Sequence, residues 1–134
     1  MSELPFVLLV EDDAANRGLA SRILAACGLD HAIANDGHEA LERIARHLPG
    51  LVLMDLSMPG LDGWETTRLI RKNPAWNGVR IVAVTAHAMT EDRERALASG
   101  FDDVLTKPYR PADLIDAIRR NIDPDAAALL AAPI

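Results

Sequence analysis

Leu51-Val52-Leu53-Met54-Asp55-Leu56-Ser57-Met58-Pro59-Gly60-Leu61-Asp62-Gly63 is the stretch on which the fold turns. An apolar run of strand length carries one acid at its end, and a Pro-Gly and then an Asp-Gly follow. Such a run reads as a buried strand, and the Pro/Gly dipeptides as the loop that ends it. Asp55 therefore stands where a strand leaves its sheet. In an open α/β sheet that edge is where ligands bind. A carboxylate there needs partners, because a buried charge left alone is costly.

The rest of the chain repeats the pattern outward from this strand. Residues 5–10 form an apolar strand with no polar face, which asks for cover on both sides as in a parallel sheet. Glu11-Asp12-Asp13 ends it. Residues 14–27 read as a helix with Leu19, Ile23, Leu24 and Cys27 on one side, closed by Gly28. A short mixed strand over 29–34 and a turn at Asn35-Asp36-Gly37 follow. The helix over 38–47, with Ala40, Leu41, Ile44, Ala45 and Leu48 at helical spacing, stops at Pro49-Gly50.

Beyond the opening stretch, Asp62 caps a helix over 63–72. Residues 79–84 form the fourth strand, with Thr85 at its end. Thr90 caps a helix over 91–99, which Gly100 closes. A fifth strand over 101–106 ends at Lys107-Pro108, and Pro111 opens a last helix reaching Asn121. Asp123-Pro124 ends the compact part. The expected organisation is one domain over 1–123 and a tail over 124–134, either a helical turn or disordered. Strand and helix thus alternate five times. Right-handed crossovers make this an α/β fold: a three-layer, doubly wound, five-stranded parallel sheet with helices on both faces. The flavodoxin-like order 2-1-3-4-5 suits the length.

Composition bounds the function. The 134 residues are 49% hydrophobic but only 4% aromatic, so Leu, Ile, Val and Ala must build the core. A net charge of -6 weighs against a broad nucleic-acid surface, which needs a basic patch. The single Cys27 excludes an internal disulfide and a Cys-based zinc site; it fits a reducing compartment and reads as a packing residue. No run approaches the roughly 18 apolar residues of a membrane span. The apolar start over 4–10 is too short for a signal peptide and ends in three acids. The expectation is a soluble cytoplasmic protein with no membrane insertion and no direct contact with nucleic acid.

Four polar features sit at the ends of four apolar strands: Glu11-Asp12-Asp13, Asp55, Thr85 and Lys107. In a parallel sheet these ends share one edge, and the order 2-1-3-4-5 makes strands one and three neighbours. Their acids would face each other. Two like charges about 4 Å apart cost roughly 4 kcal/mol at an effective dielectric near 20. Protonation, Lys107 or a divalent cation can relieve that repulsion. Carboxylates with open water positions suit magnesium, which shares its shell with phosphate. A carboxylate can also act as a nucleophile and form an acyl phosphate. Thr85 can then donate to a phosphoryl oxygen, and Lys107 can pair with another as a point charge. Taken singly, each feature has a plainer reading, as loop acids, a turn acid, a structural threonine and a surface lysine. Together, each at a strand end, they point to phosphoryl chemistry.

At these residues the chain resembles the receiver domain of two-component response regulators. The resemblance runs from Phe6 to about Asn121 and rests on Val10-Glu11-Asp12-Asp13, the stretch from Met54 to Gly63, Val84-Thr85-Ala86 and Lys107-Pro108. It implies that Asp55 accepts a phosphoryl group from the histidine of a sensor kinase or histidine phosphotransfer protein. It also implies magnesium held by Asp12 and Asp55 directly, by the Ser57 backbone carbonyl, and by Glu11 through water. Asp13 falls outside the acidic pair and reads as a helix-start acid. Thr85 and Lys107 would bind the phosphoryl group and report it, and Lys107-Pro108 is expected to be cis. Such a protein is no enzyme beyond catalysing its own phosphorylation and slow dephosphorylation.

Members of the family commonly meet their targets through the fourth helix, fifth strand and fifth helix, here residues 89–121; histidine donors dock beside the first helix, near Asn16. His87 occupies a position that tunes phosphoryl lifetime in the family. One departure is plain. The family often has an aromatic three residues before the lysine, and this chain has Val104, which rules out a rotating-ring switch there. Asn16 and the run from Thr85 to Met89 look most like receivers of hybrid kinases and phosphorelays. With its own Met1 and no output domain, the chain reads as a stand-alone regulator, with a trimmed piece of a larger protein as the alternative.

Other classes fit less well. Three acids after strand one would repel the phosphate of a flavin, and no G-x-G-x-x-G follows that strand as a dinucleotide fold requires. A haloacid-dehalogenase-type phosphatase wants a second Asp where Ser57 stands. Two rivals stay open: an interaction module of receiver shape that works without phosphorylation, and a phosphate sink that only drains a kinase.

Overall fold

The computed structural model describes residues 3–58, 60–87 and 89–131. Pro59 of the Pro-Gly turn, Ala88 of the fourth loop and residues 132–134 of the tail lie outside the described residues. Five strands, β1 Val7–Val10, β2 His31–Ala34, β3 Leu51–Asp55, β4 Arg80–Thr85 and β5 Asp103–Thr106, form one sheet. All pairs are parallel and the order is β2-β1-β3-β4-β5, as the alternating pattern predicts. The helices are α1 Ala14–Ala26, α2 Gly37–Arg46, α3 Gly63–Lys72, α4 Thr90–Ala98, α5 Pro111–Arg120 and the short α6 Pro124–Ala127. A 3-10 turn, Pro74–Trp76, joins α3 to β4.

The all-apolar strands are buried on both faces because helices cover both. On one face Val7, Leu9, Leu51, Leu53 and Val82 pack with Ile23, Leu24, Leu114 and Ile118 of α1 and α5. On the other, Leu8, Val10, Val52, Met54 and Ile81 pack with Ile44, Ile70 and Ala96 of α2, α3 and α4. Side chains of successive strand residues point to opposite faces, so one apolar run feeds both layers.

Acidic caps set where three helices begin. Asp13, Asp36 and Asp62 each accept a hydrogen bond from the amide three residues on, at Asn16, Glu39 and Glu65. Thr90 does not cap α4. It lies inside the helix, and Met89 occupies the cap position without a side-chain hydrogen bond. Strands β1, β2 and β5 begin two residues later than the apolar pattern predicts. Leu29 and Phe101 are buried, but as loop residues whose amides donate to the Leu24 and Ala96 carbonyls at the ends of α1 and α4. Asp102 is engaged elsewhere: it accepts from the Ile81 amide and from Arg71, whose guanidinium also donates to the Gly100 and Val79 carbonyls. Leu19 and Leu48, placed on apolar stripes by spacing, are exposed, and Ala20 takes the inward position on α1.

Cys27 is fully buried and packs in the α1/α5 layer, as expected for a packing residue. The described part of the tail packs as well. Ala126 of α6 is buried, Leu130 rests on the same layer, and the Ala131 amide donates to the Cys27 carbonyl at 3.1 Å.

The loop after β3 closes tightly on itself. A Cβ at Gly63 would lie well inside van der Waals contact distance of the Asp55 carbonyl oxygen and would press on Leu56 and Met54. The start of α3 thus fixes the backbone that presents Asp55. Gly63→Ala is expected to cost about 1–3 kcal/mol as overpacking, read as a lowered midpoint of urea unfolding. An unchanged midpoint would mean that this approach does not constrain the loop.

Candidate functional site

The parallel register delivers four chemical groups to one edge. Val10 pairs with Met54, so β1 and β3 end side by side and Glu11 and Asp12 stand next to Asp55. Oxygens of Glu11, Asp12 and Asp55 lie within 4.8 Å of one another. Thr85 closes β4 opposite Thr106, and the Lys107 amide donates to the Thr85 carbonyl at 2.7 Å. The Lys107-Pro108 peptide is cis, as the resemblance implies.

Glu11 and Asp55 are buried, at 4% and 3% exposure, whereas Asp12 is open to solvent. Lys107 bridges the buried pair. Its Nζ lies 3.1 Å from Glu11 Oε1 and 3.3 Å from Asp55 Oδ1. The Ser57 amide donates to Asp55 Oδ1 at 3.0 Å, which fixes the carboxylate in the mouth of its own loop. Thr85 Oγ1 accepts from the His87 amide at 3.0 Å, and a hydroxyl that accepts can also donate. A cavity of about 180 Å³ adjoins this edge; Ser57, Thr85, His87, Trp64 and Arg95 line part of it. A larger one of about 430 Å³ lies among Pro5, Gly50, Arg80 and Arg120, away from the carboxylates, and has no part in this chemistry.

Burial and crowded charge both show in the acidities. Burial pushes the Glu11 carboxyl up to about 7, and the adjacent Asp55 carboxylate adds to the rise against the pull of Lys107. Burial also pushes Asp55 up, but hydrogen bonds from Glu11, the Ser57 amide and Lys107 outweigh it and hold Asp55 below the usual range. Burial opposes the Lys107 charge, and Glu11 and Asp55 overcome that and raise its pKa. The pair therefore has a protonated Glu11 beside an ionised Asp55 under mildly acidic conditions. An ionised carboxylate is the form that can attack a phosphoryl group.

All of Glu11, Asp12, Asp55, Ser57, Thr85 and Lys107 thus gather at one edge. Asp13 stands apart as the α1 cap, as expected of a helix-start acid. Val104 is buried among Ala83, Ala96 and Phe101, with no ring at that position. Arg17 was not legible as part of the site. Its Nη1 donates to the Asp12 carbonyl at 2.7 Å. The available signal was its place in the first turn of α1, where the helix dipole disfavours a cation.

Sheet order, helices on both faces and a carboxylate cluster at the switch point define a doubly wound domain with an acidic site at its sheet edge. The chain belongs to the response regulator receiver domain family, whose model matches residues 7–119. It is 36% identical over 132 residues to the DNA-binding response regulator MtrA of Mycobacterium tuberculosis, covering 96% of this chain but 57% of MtrA. The receiver domain of the Pseudomonas aeruginosa sensor histidine kinase PA1611, solved with a magnesium ion in its active-site cleft, superposes with a TM-score of 0.80 at 35% identity. That match covers 88% of this chain and 97% of the other. A chain from the co-crystal structure of the Saccharomyces cerevisiae histidine phosphotransfer protein Ypd1 with the receiver domain of Ssk1 superposes with a TM-score of 0.82 at 31% identity, covering 90% of each chain. Among the described residues no helix is long and apolar enough to cross a membrane.

The Glu11 acidity makes stability depend on pH. Folding raises the proton affinity of Glu11, so the folded protein holds a proton that the unfolded chain has released. The contribution is fully present below about pH 4.5 and is lost as pH rises through about 7, a swing on the order of 3 kcal/mol. Glu11→Gln in metal-free buffer is expected to flatten that part of the stability profile, measured by urea unfolding from pH 5 to 8. A wild-type decline that survives in the variant would assign it to another group.

Proposed function

We propose that this receiver accepts a phosphoryl group on Asp55 from a phosphohistidine, in a two-component or phosphorelay pathway. The observation that carries this reading is the ionised, buried Asp55 held between the Ser57 amide and Lys107 at the mouth of the sheet edge. In the transfer, an Asp55 carboxylate oxygen forms the new O–P bond, the N–P bond of the donor breaks, and the imidazole keeps that electron pair. Lys107 then pairs with a phosphoryl oxygen in place of part of its Glu11 contact. The Thr85 hydroxyl donates to another.

The donor set fits magnesium. Three carboxylates offer hard oxygen ligands, and the exposed Asp12 leaves a side open for water. Glu11, Asp12 and Asp55 would hold the ion, with the Ser57 backbone carbonyl as a further ligand. When bound, magnesium supplies charge neutralisation that lets a dianionic donor approach Asp55. Burial is the main cause of the raised Glu11 pKa, and the adjacent Asp55 carboxylate adds to it; such a cation would relieve that added repulsion.

The donor is a sensor histidine kinase or a histidine phosphotransfer protein, a reading supported by the likeness to a receiver solved with Ypd1. The output face is residues 89–121. Helix α4 is lightly held there: Ala96 is its one buried residue, and Arg95 lies over the Trp64 ring at 4.3 Å. The protein catalyses only its own phosphorylation and slow dephosphorylation, acts in the cytoplasm, and does not itself bind nucleic acid or insert into a membrane. The buried Val104 favours a second reading, a phosphate sink or a phosphorylation-independent module, because neither needs a ring switch.

Incubation with magnesium and acetyl phosphate is expected to add the mass of one phosphoryl group, and Asp55→Asn to abolish the gain. A gain that persists in Asp55→Asn contradicts the site, and no gain in either moves weight to the module. His87→Ala is expected to change the decay rate of the phosphorylated form, because His87 lines the cavity beside Thr85 and Ser57. An equal rate removes His87 from the chemistry.

A further inference from the structure

Arg17 stands beside the carboxylate cluster and has no part in the chemistry above. It sits in the first turn of α1, where a cation opposes the helix dipole. Its guanidinium turns back along the chain. Nη1 donates to the Asp12 carbonyl at 2.7 Å and reaches the Glu11 carbonyl at 3.4 Å. Those two carbonyls belong to the peptide groups on either side of the Asp12 Cα. Each peptide group is planar, so its orientation fixes one of the two backbone dihedrals of Asp12.

Asp12 needs this more than its neighbours do. Glu11 is buried, anchored through its amide to the Ala34 carbonyl and through its carboxylate to Lys107. Asp55 is buried and fastened by Ser57 and Lys107. Asp12 is exposed and lies in the short link between the end of β1 and the Asp13 cap. Its carboxylate is aimed by its backbone.

We propose that Arg17 is a positioning residue for the metal site: it clamps the peptide groups flanking Asp12 and so keeps the exposed carboxylate within ligand distance of Glu11 and Asp55. The inference rests on the reading of this cluster as a magnesium site. Charge and geometry predict opposite effects of removing Arg17. A guanidinium near a cation site repels the cation, so by charge alone its loss should tighten magnesium binding. The clamp predicts weaker binding.

The test is calorimetric titration of the metal-stripped full chain with magnesium chloride, for wild type, Arg17→Met and Arg17→Lys. Thermal unfolding in EDTA accompanies it. Loss of a group that orients a ligand typically lowers metal affinity by at least roughly tenfold; that loss is expected for Arg17→Met, with little change of unfolding midpoint in EDTA. Phosphorylation by acetyl phosphate should return to the wild-type rate at saturating magnesium. Arg17→Lys, which keeps the charge and one donor, should fall between the two. Unchanged or tighter magnesium binding in Arg17→Met overturns the clamp. A large drop of midpoint in EDTA for both variants, with affinity unchanged in Arg17→Lys, also overturns it and leaves Arg17 a fold stabiliser. A wild type that binds no magnesium removes the metal reading and the clamp together, even if Asp55 still gains phosphate.

Discussion

Everything at the functional edge depends on one ammonium group. Lys107 Nζ lies between Glu11 and Asp55, two carboxylates whose proton affinity it lowers against the effect of burial. The bridge joins the end of β5 to the ends of β1 and β3. The Lys107 amide meanwhile holds the end of β4 through the Thr85 carbonyl. One residue thus ties four strand ends by its side chain and its backbone. The charge balance is incomplete, because a third acid, Asp12, stands at the same place. That residual negative charge is what makes the edge a site rather than a closed ion pair.

The fold creates this situation and also supports it. A parallel sheet sends every strand end to one edge and starts the following helices there. The α1 and α3 N-termini, capped by Asp13 and Asp62, therefore open next to the carboxylates. Helix N-termini carry unpaired amides and a positive dipole end, a setting that tolerates anions. The two apolar layers beneath are made of aliphatic side chains buried on both sides of the sheet. The strand ends are held by this core, and the loops above need only carry the chemistry.

Most of this was legible in the sequence for a physical reason. Strands covered on both faces are continuous apolar runs, and each ended in a polar residue that had no business in a core. The Asp62 cap and the Pro111 start were readable because their side chains act locally. What failed was local in another way. Thr90 is of a residue type that favours the cap position, but Glu91 and Asp92 suit a helix starting one residue earlier equally well. Leu29 and Phe101 looked like strand residues because they are apolar; they are buried as loop residues at helix ends instead. Leu19 and Leu48 had the spacing of a core stripe, yet the core lies to one side of it. Arg17 was invisible because its partners are carbonyls, which no side-chain pattern encodes. The tail, rich in Ala and Leu, gave no period, and its place is set by Leu130 resting on the α1/α5 layer and by the Ala131 amide on the Cys27 carbonyl.

Val104 puts no ring at its position, and α4 is held through buried Ala96, the Arg95–Trp64 contact and a hydrogen bond from Arg93 to the Val104 carbonyl. The central claim is that Asp55 is the nucleophile. Borohydride reduction converts an aspartyl phosphate to homoserine, which peptide sequencing by mass spectrometry locates. After treatment with magnesium and acetyl phosphate, homoserine is predicted at position 55 alone. Homoserine at position 12, or at any other carboxylate in place of 55, would contradict the account.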